Sequence, residues 1–274
     1  MADDKILVLV KGAGDLGTGV AWRLFKYGLG VVMTETARPM VVRRKVSFAQ
    51  AVYDGKMTVE GIEAVLVNDA AGALRTVSEK KVPVLIDPLA SCIEKLKPVV
   101  VVDAIMAKRN TGTRISDAPL VIGLGPGFTA GVDVHVVIET CRGHNLGRVI
   151  KKGCAAPDTG VPGEVAGYTA ERLLRAPATG VLLACRPIGE LVNRGEIIAF
   201  VNDVPVVAKI KGLLRGMARS GIWVTKGTKI GDIDPRGMAV DYSTISDKAL
   251  AVAGGVAEAV WEFLFQNGYL KYVL

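Results

Sequence analysis

A segment in the last third of the chain matches itself 32 residues further on: Gly180, Gly189, Val192, Gly195 and Ile198 return in register as Gly212, Gly221, Val224, Gly227 and Ile230. Each half reads as a short strand, a glycine-containing turn, then Val-x-x-Gly-x-x-Ile leading into another strand. Two such halves can interlock into a small β barrel. The repeat therefore sets a compact β module over residues 177–236, in a chain whose first third has a different architecture.

At the front, Lys5–Val10 is an apolar run that ends in "KGAGDLGTG". Beyond it Leu16, Val20, Leu24 and Tyr27 recur at the spacing of one helical face. Strand, glycine turn and helix form the setting that gives Gly-x-Gly-x-x-Gly a meaning. Gly12 serves the tight turn, Gly14 the close approach of a pyrophosphate, and Gly17 the contact of helix with strand. With Asp15 and Leu16 these residues form a candidate phosphate turn, whose helix N-terminus offers amides to an anion. "VVMTE" is the next strand, and its Glu35 lies 23 positions after Gly12, near the spacing of an acid that holds an adenosine ribose. Further apolar runs at 62–67, 82–86, 99–102 and 120–122, with helical stretches near 70–80 and 89–96, fit a parallel sheet covered on both faces. Asp87 and Asp103 fall at carboxyl ends of these strands, where open α/β sheets place a ligand crevice. Asp15 opposes a pyrophosphate unless it turns away to cap the helix, while Arg38, Arg43 and Arg44 would suit a 2′-phosphate or another anion. A phosphate-bearing ligand and a purely structural domain both stay open at this point.

The 274 residues allow one large or two medium domains, and half of them are hydrophobic. No run approaches the roughly 18 apolar residues of a membrane span, and "MADDKILVLV" runs from an acidic start into a strand, which reads as a cytoplasmic protein without a membrane partner. Cys92, Cys141, Cys154 and Cys185 are widely spaced and there are two histidines, so neither a disulfide framework nor a structural zinc is expected, and no metal site is assigned. The net charge of +7 comes from scattered residues without interleaved aromatics, which excludes nucleic acid and suits attraction of a small anion.

Glycine and proline dominate residues 103–163. "GLGPGF" either exposes the amides of Gly125, Gly127 and Phe128 as an anion nest or is a tight turn before the strand at 134–139. His144 reads as a loop residue and His135 as a structural strand residue. Lys108, Arg109 and Thr111–Thr113 either bind an anion near Asp103 or form a solvated loop. No nucleophile–base or paired-carboxylate set is legible, so catalytic residues are unassigned and the chain's standing as an enzyme is undecided. Ser246 is a fitting N-cap for a last helix that stops at Gly268, with a small-residue interior suited to close packing on the first domain.

The repeat resembles the barrel-sandwich hybrid of the biotinyl and lipoyl domain family, but the connection from Glu196 to Gly212 lacks a presented Met-Lys-Met or Asp-Lys-Ala, so Lys209 and Lys211 read as strand lysines. Over nearly the whole chain, "KGAGDLGTGVAWRL", "VVMTE", "RRKVSFAQAVYDG", "VIGLGPGFTAG", "VIETCRGHNLGRV", "KIGDIDPRG" and "ISDKALAVAGGVAEA" resemble the selenium-dependent molybdenum hydroxylase accessory family. That resemblance implies support for the maturation of such a hydroxylase, with the hydroxylase or its maturation proteins as partners. No iron–sulfur cysteine cluster is present for the hydroxylase centre itself. The expectation is an α/β protein: a Rossmann-like domain at 1–176, a barrel-sandwich hybrid at 177–236, and a helical segment at 237–274 that packs back on the first domain. Its expected cofactor is NAD(P) or a molybdopterin-type cofactor, held by Gly12, Gly14, Asp15, Leu16, Gly17, Glu35, Asp87, Asp103, Gly125 and Gly127. An NAD(P)-dependent oxidoreductase and a ligand-free docking scaffold are the alternatives, and a homo-oligomer is compatible with each.

Overall fold

The apolar run after Ile6 forms β1 (Leu7–Lys11), every residue of it buried, and the glycine turn then delivers the chain into α1 (Asp15–Lys26) and β2 (Gly30–Glu35). The computed structural model describes residues 6–270. The chain divides into two compact units, one of Met1–Ala37, Phe48–Asp158 and Ile245–Leu274, the other of Arg38–Ser47 and Thr159–Thr244. The first is a mixed α/β structure with a large sheet, and the second is built on separate antiparallel sheets.

In the larger unit the chain continues through α2 (Ala51–Asp54), β3 (Lys56–Val59), β4 (Ile62–Val67), α3 (Ala70–Ser78), β5 (Val82–Ile86), α4 (Ile93–Leu96) and β6 (Val100–Asp103). After these come β7 (Leu120–Leu124), β8 (Thr129–Ala130), β9 (Val136–Ile138), β10 (Val149–Ile150) and β11 (Gly153–Cys154). Nine strands pair in the order β10-β9-β7-β6-β1-β2-β5-β4-β3. From β4 to β9 all pairs are parallel, while β3 and β10 run antiparallel at the two edges. The central strands are near-continuous Val, Leu and Ile because both faces of a parallel sheet are covered. The edge strand β3, absent from the sequence expectation, is half-exposed and polar, which hid it among loop residues.

The last helix, α5 (Asp247–Gln266), starts where Ser246 accepts a hydrogen bond from the Ala249 amide at 3.2 Å. It lies on α1 through small residues, where a Cβ on Gly19 would sit 3.0 Å from that of Ala249, and on the loop before β10, where a Cβ on Gly255 would come within 2.0 Å of the Gly147 carbonyl oxygen. This helix is long and apolar enough to cross a membrane, and half of its most apolar window is buried inside the protein.

β1 has β2 on one side and β6 on the other, so the chain leaves β1 toward one side of the sheet and returns later on the other. Such a reversal opens a crevice beyond the carboxyl ends of the two strands. The loops there carry Gly12–Gly17, Glu35, Asp87, Asp103 and Gly125–Gly127, all at one edge of one sheet.

The smaller unit holds β12 (Leu173–Arg175), β13 (Gly180–Ala184), β14 (Leu191–Val192), β15 (Ile197–Val201), β16 (Val204–Val207), β17 (Gly212–Met217), β18 (Trp223–Val224) and β19 (Lys229–Asp234). They form two four-stranded antiparallel sheets, β12-β19-β17-β14 and β16-β15-β13-β18. The sequence repeat is realised as reciprocal exchange. Gly180 pairs with Val224 of the other half, and Gly212 pairs with Val192. The Gly195 amide donates to the Ala208 carbonyl at 2.9 Å, as the Gly227 amide does to Ala176 at 2.8 Å. Val192, Val224, Ile198 and Ile230 meet in one core with Leu182 and Leu214. Each half thus supplies the partner strand that the other lacks.

Lys209 and Lys211 do not lie in strands. They are exposed in the bend between β16 and β17, where the chain leaves one half-repeat for the next. The hairpin from β15 to β16 turns at Asn202 and Asp203, with Asn202 at φ +50°, so no lysine stands at its tip.

Candidate functional site

Gly12 sits just past β1 at φ +90°, a conformation that favours glycine. A Cβ there would come within 2.9 Å of the Ala104 carbonyl oxygen, and one on Gly17 within 2.1 Å of the Gly12 carbonyl oxygen. Both glycines are fixed by close backbone approach. Gly14 is the extended N-cap of α1 and has no side chain to satisfy the first amides. The N–H groups of Asp15, Leu16 and Gly17 belong to the first turn, which has no helical acceptor. Leu16 points into the core at 7% exposure, and Asp15 is the acidic residue of that turn, where the helix dipole favours a negative charge.

Glu35 ends β2 beside this turn. Its carboxylate accepts from the Ala13 amide at 2.9 Å through one oxygen and from the Thr36 amide at 2.7 Å through the other. The β2–β5 register sets Ile86 opposite Glu35, and Ile86 and Leu89 are 47% and 80% exposed. A hydrogen-bond acceptor thus has apolar surface next to it.

The other strand-end acids turn back on their own loops. Asp87 accepts from the Cys92 amide at 2.8 Å, ahead of α4. Burial first, then the hydrogen bond and charge of Asp87, push the Cys92 thiol up to about 12. Asp103 accepts from the Ile105 amide at 3.0 Å with one oxygen and from the Thr113 hydroxyl at 2.5 Å with the other. Thr113 in turn accepts from the Lys11 ammonium at 2.5 Å, and Lys11 lies 3.9 Å from Asp103. The three residues are 4%, 2% and 1% exposed for Lys11, Asp103 and Thr113, a polar cluster sealed at the carboxyl ends of β1 and β6. Sequence reasoning missed Lys11, which closes an apolar strand and reads there as an ordinary strand-end charge. It also missed Glu139, 5% exposed after β9, whose carboxylate accepts from the Cys141 and Ala156 amides at 2.7 Å each.

Gly125 follows β7 at φ +73° and Gly127 lies at φ +109°. A Cβ on Gly125 would meet the Thr140 hydroxyl at 2.4 Å, and one on Gly127 the Arg109 backbone at 2.6 Å. The Gly125 amide is committed to the Ile138 carbonyl at 2.9 Å. Loop 104–113 is therefore held between Gly12 on one side and Gly127 on the other. Asn110 braces it by accepting from the Gly112 and Thr113 amides.

Arg43 and Arg44, expected near an anion, instead donate to carbonyls within the smaller unit: Arg43 to Thr244 at 3.3 Å and Arg44 to Met217 at 2.8 Å. His144 is exposed in the loop after β9. His135 accepts from the Val121 amide through Nδ1 at 2.9 Å, and burial lowers its pKa. Among the described residues no group of three or more His, Cys, Asp or Glu side chains is placed to hold a metal ion.

No family model matches the chain. In sequence it is 49% identical over 261 residues to an Escherichia coli (strain K12) protein described as "Uncharacterized protein YqeB". The match covers 95% of this chain and 48% of that relative, so the chain spans about half the length of the curated protein it matches. Among solved structures, an aspartoacylase family protein from Mesorhizobium loti is 12% identical with a TM-score of 0.27, covering 84% of this chain and 85% of that one. A succinylglutamate desuccinylase/aspartoacylase from Rhodobacter sphaeroides is 14% identical with a TM-score of 0.26, over 84% and 85% of the two chains. An ectoine utilization protein from Ruegeria pomeroyi is 10% identical with a TM-score of 0.26, over the same shares. At these levels the structural likenesses assign no activity to this chain.

These findings overturn the family expectation. The relative is described only as uncharacterized and the structural neighbours carry aspartoacylase, desuccinylase and ectoine-utilization names, so neither supports the selenium-dependent molybdenum hydroxylase accessory family or an NAD(P)-dependent oxidoreductase. The maturation role is withdrawn with the family. The physical reason lies in the motifs that carried the resemblance. In "KGAGDLG" and "GLGPGF" Gly12, Gly17 and Gly127 answer close backbone approaches, a need that unrelated proteins meet with the same residues.

Proposed function

We propose that the larger unit is a Rossmann-like domain that binds a phosphate-bearing nucleotide across the crevice at the ends of β1, β2 and β6. The observation that carries this reading is the 2.9 Å hydrogen bond from the Ala13 amide to Glu35, which brings the ribose-type acceptor against the phosphate turn. In this reading the first-turn amides of α1 hold the phosphate and Gly14 leaves room for it. Glu35 takes a sugar hydroxyl, and the exposed Ile86 and Leu89 lie against the base. Asp87 and Asp103 shape the loops around the ligand, as do Gly125 and Gly127. A dinucleotide such as NAD(P) fits this division of polar and apolar surface. A molybdopterin-type cofactor offers the same phosphate to the turn without a base for the apolar lip.

The smaller unit is, in the same proposal, a barrel-sandwich hybrid that carries no attached group. A cytoplasmic setting suits the free, exposed thiols of Cys141, Cys154 and Cys185. Mass spectrometry of small molecules released from the purified full chain tests the proposal. A nucleotide released in near-stoichiometric amount supports it, and release of only a non-phosphorylated compound contradicts it.

A further inference from the structure

The two sheets of the smaller unit descend from equivalent halves of the repeat, yet their outer faces are treated in opposite ways. In β17 and β19 the sequences GLLRGM and KIGDID mix apolar and charged residues. The outer face there carries Arg215, Asp232 and Asp234, and it is covered by residues 38–47. Val42 lies where a Gly216 Cβ would be, its carbonyl accepts from the Met217 amide at 2.9 Å, and Arg44 donates to the Met217 carbonyl. The repeat-equivalent strands β13 and β15 read GVLLA and IIAFV, and their neighbours β16 and β18 read VPVV and WV. These four strands contain no charged, amide or hydroxyl side chain. A sheet with one face in water alternates apolar with polar residues, whereas a sheet apolar on both faces is built to be covered on both.

One face of this sheet does meet the core, through Leu182, Val201, Val206 and Val224. The other lies open, with Val181, Leu183 and Trp223 at 43%, 58% and 63% exposure. Val181 pairs with Trp223, Leu183 with Phe200, Phe200 with Pro205 and Ile197 with Val207, so the open side chains form a continuous patch.

We propose that this face is the interface of a homodimer, two copies packing face to face with Val181, Leu183 and Trp223 of each buried between them. Three observations select a second copy as the occupant. The patch has no charge with which to select a charged partner. Its exposed apolar area is on the order of 500 Å2, taking 150–250 Å2 for a whole aromatic side chain and less for an aliphatic one. Two such faces together reach the roughly 1,000 Å2 that a stable interface must clear. The edge strand β16 carries Pro205, which blunts strand addition at the edge and leaves the face as the surface for packing.

Size-exclusion chromatography with light scattering on the full chain reads the outcome. The wild type is expected at twice the chain mass of 28.9 kDa, with Trp223→Glu and Leu183→Glu each returning it to the single mass. Trp223→Phe should remain dimeric. Circular dichroism equal to that of the wild type certifies the folds, since both substituted side chains are exposed. Where a variant fails to fold, dilution of the wild type serves instead, with the emission of Trp223, isolated by subtraction of the Trp223→Phe signal, shifting to the red as the dimer dissociates. A wild type that is monomeric at every concentration, whether or not another protein binds the face, overturns the proposal. So does a dimer that survives both glutamate substitutions.

Discussion

Replacing Lys11 by methionine removes the cation from the buried Lys11–Thr113–Asp103 cluster while nearly keeping the volume of the side chain. Side-chain exposures of 5% and 2% for Lys11 and Asp103 leave little water to take the place of the lost partner. Breaking a buried pair from one side costs about 3–5 kcal/mol. The 3.9 Å separation, bridged by the Thr113 hydroxyl, places Lys11→Met at the lower end, about 3 kcal/mol. Asp103→Asn keeps an acceptor for the Ile105 amide but leaves the ammonium unpaired, and costs about as much. The double variant removes both charges and should lose far less than the sum of the singles, a coupling of about 3 kcal/mol. Every α-helix of the described residues lies in the larger unit, so helical circular dichroism followed through urea unfolding reports on that unit. Strictly additive losses would refute the coupling and leave Lys11 as a strand end that happens to be enclosed.

Gly17→Ala places a Cβ 2.1 Å from the Gly12 carbonyl oxygen, so the turn must move; nucleotide affinity is expected to fall at least tenfold by titration, a loss of about 1.4 kcal/mol. Cys92, buried and pushed up to about 12, should alkylate far more slowly near neutral pH than the exposed Cys141, Cys154 and Cys185, as peptide mapping after timed labelling will read. His135 has a folded-state pKa below its unfolded value of about 6.5, so the unfolded chain binds the extra proton first and stability falls as the pH drops below that value. His135→Asn, which can still accept from Val121, should flatten this fall in urea midpoints measured across the same pH range. Asp234→Asn weakens the anchor of Arg215, 9% exposed, and of Arg236, and should cost about 3 kcal/mol of the smaller unit's stability by differential scanning calorimetry.

The parts legible in the sequence are those fixed by local geometry. The glycine turn and the cap at Ser246 specify backbone solutions that need no distant partner, and the apolar runs at β4 and β5 and the 32-residue offset mark their strands by local pattern alone. The offset even conveys the exchange of Gly180 and Gly212 between halves, because a strand that begins with the same residues needs the same neighbour. What stayed hidden depends on residues far apart in sequence. Lys11 meets Thr113 across 102 positions, and nothing in "LVLVK" announces that its lysine is enclosed. Arg43 and Arg44 follow Glu35 closely, yet the chain has left the larger unit by Arg38, so sequence proximity misled. The family resemblance misled for a related reason, since glycines placed by backbone crowding recur wherever the same turn is needed.

Calorimetric titration of the full chain with NAD and NADP, beside the Gly14→Val variant, tests the central claim. The account predicts saturable binding of a dinucleotide by the wild type and its loss in the variant, because a side chain at the N-cap of α1 fills the space of the phosphate. Circular dichroism of the variant should match that of the wild type. Binding of equal affinity in both proteins would contradict the assignment of the phosphate to this turn.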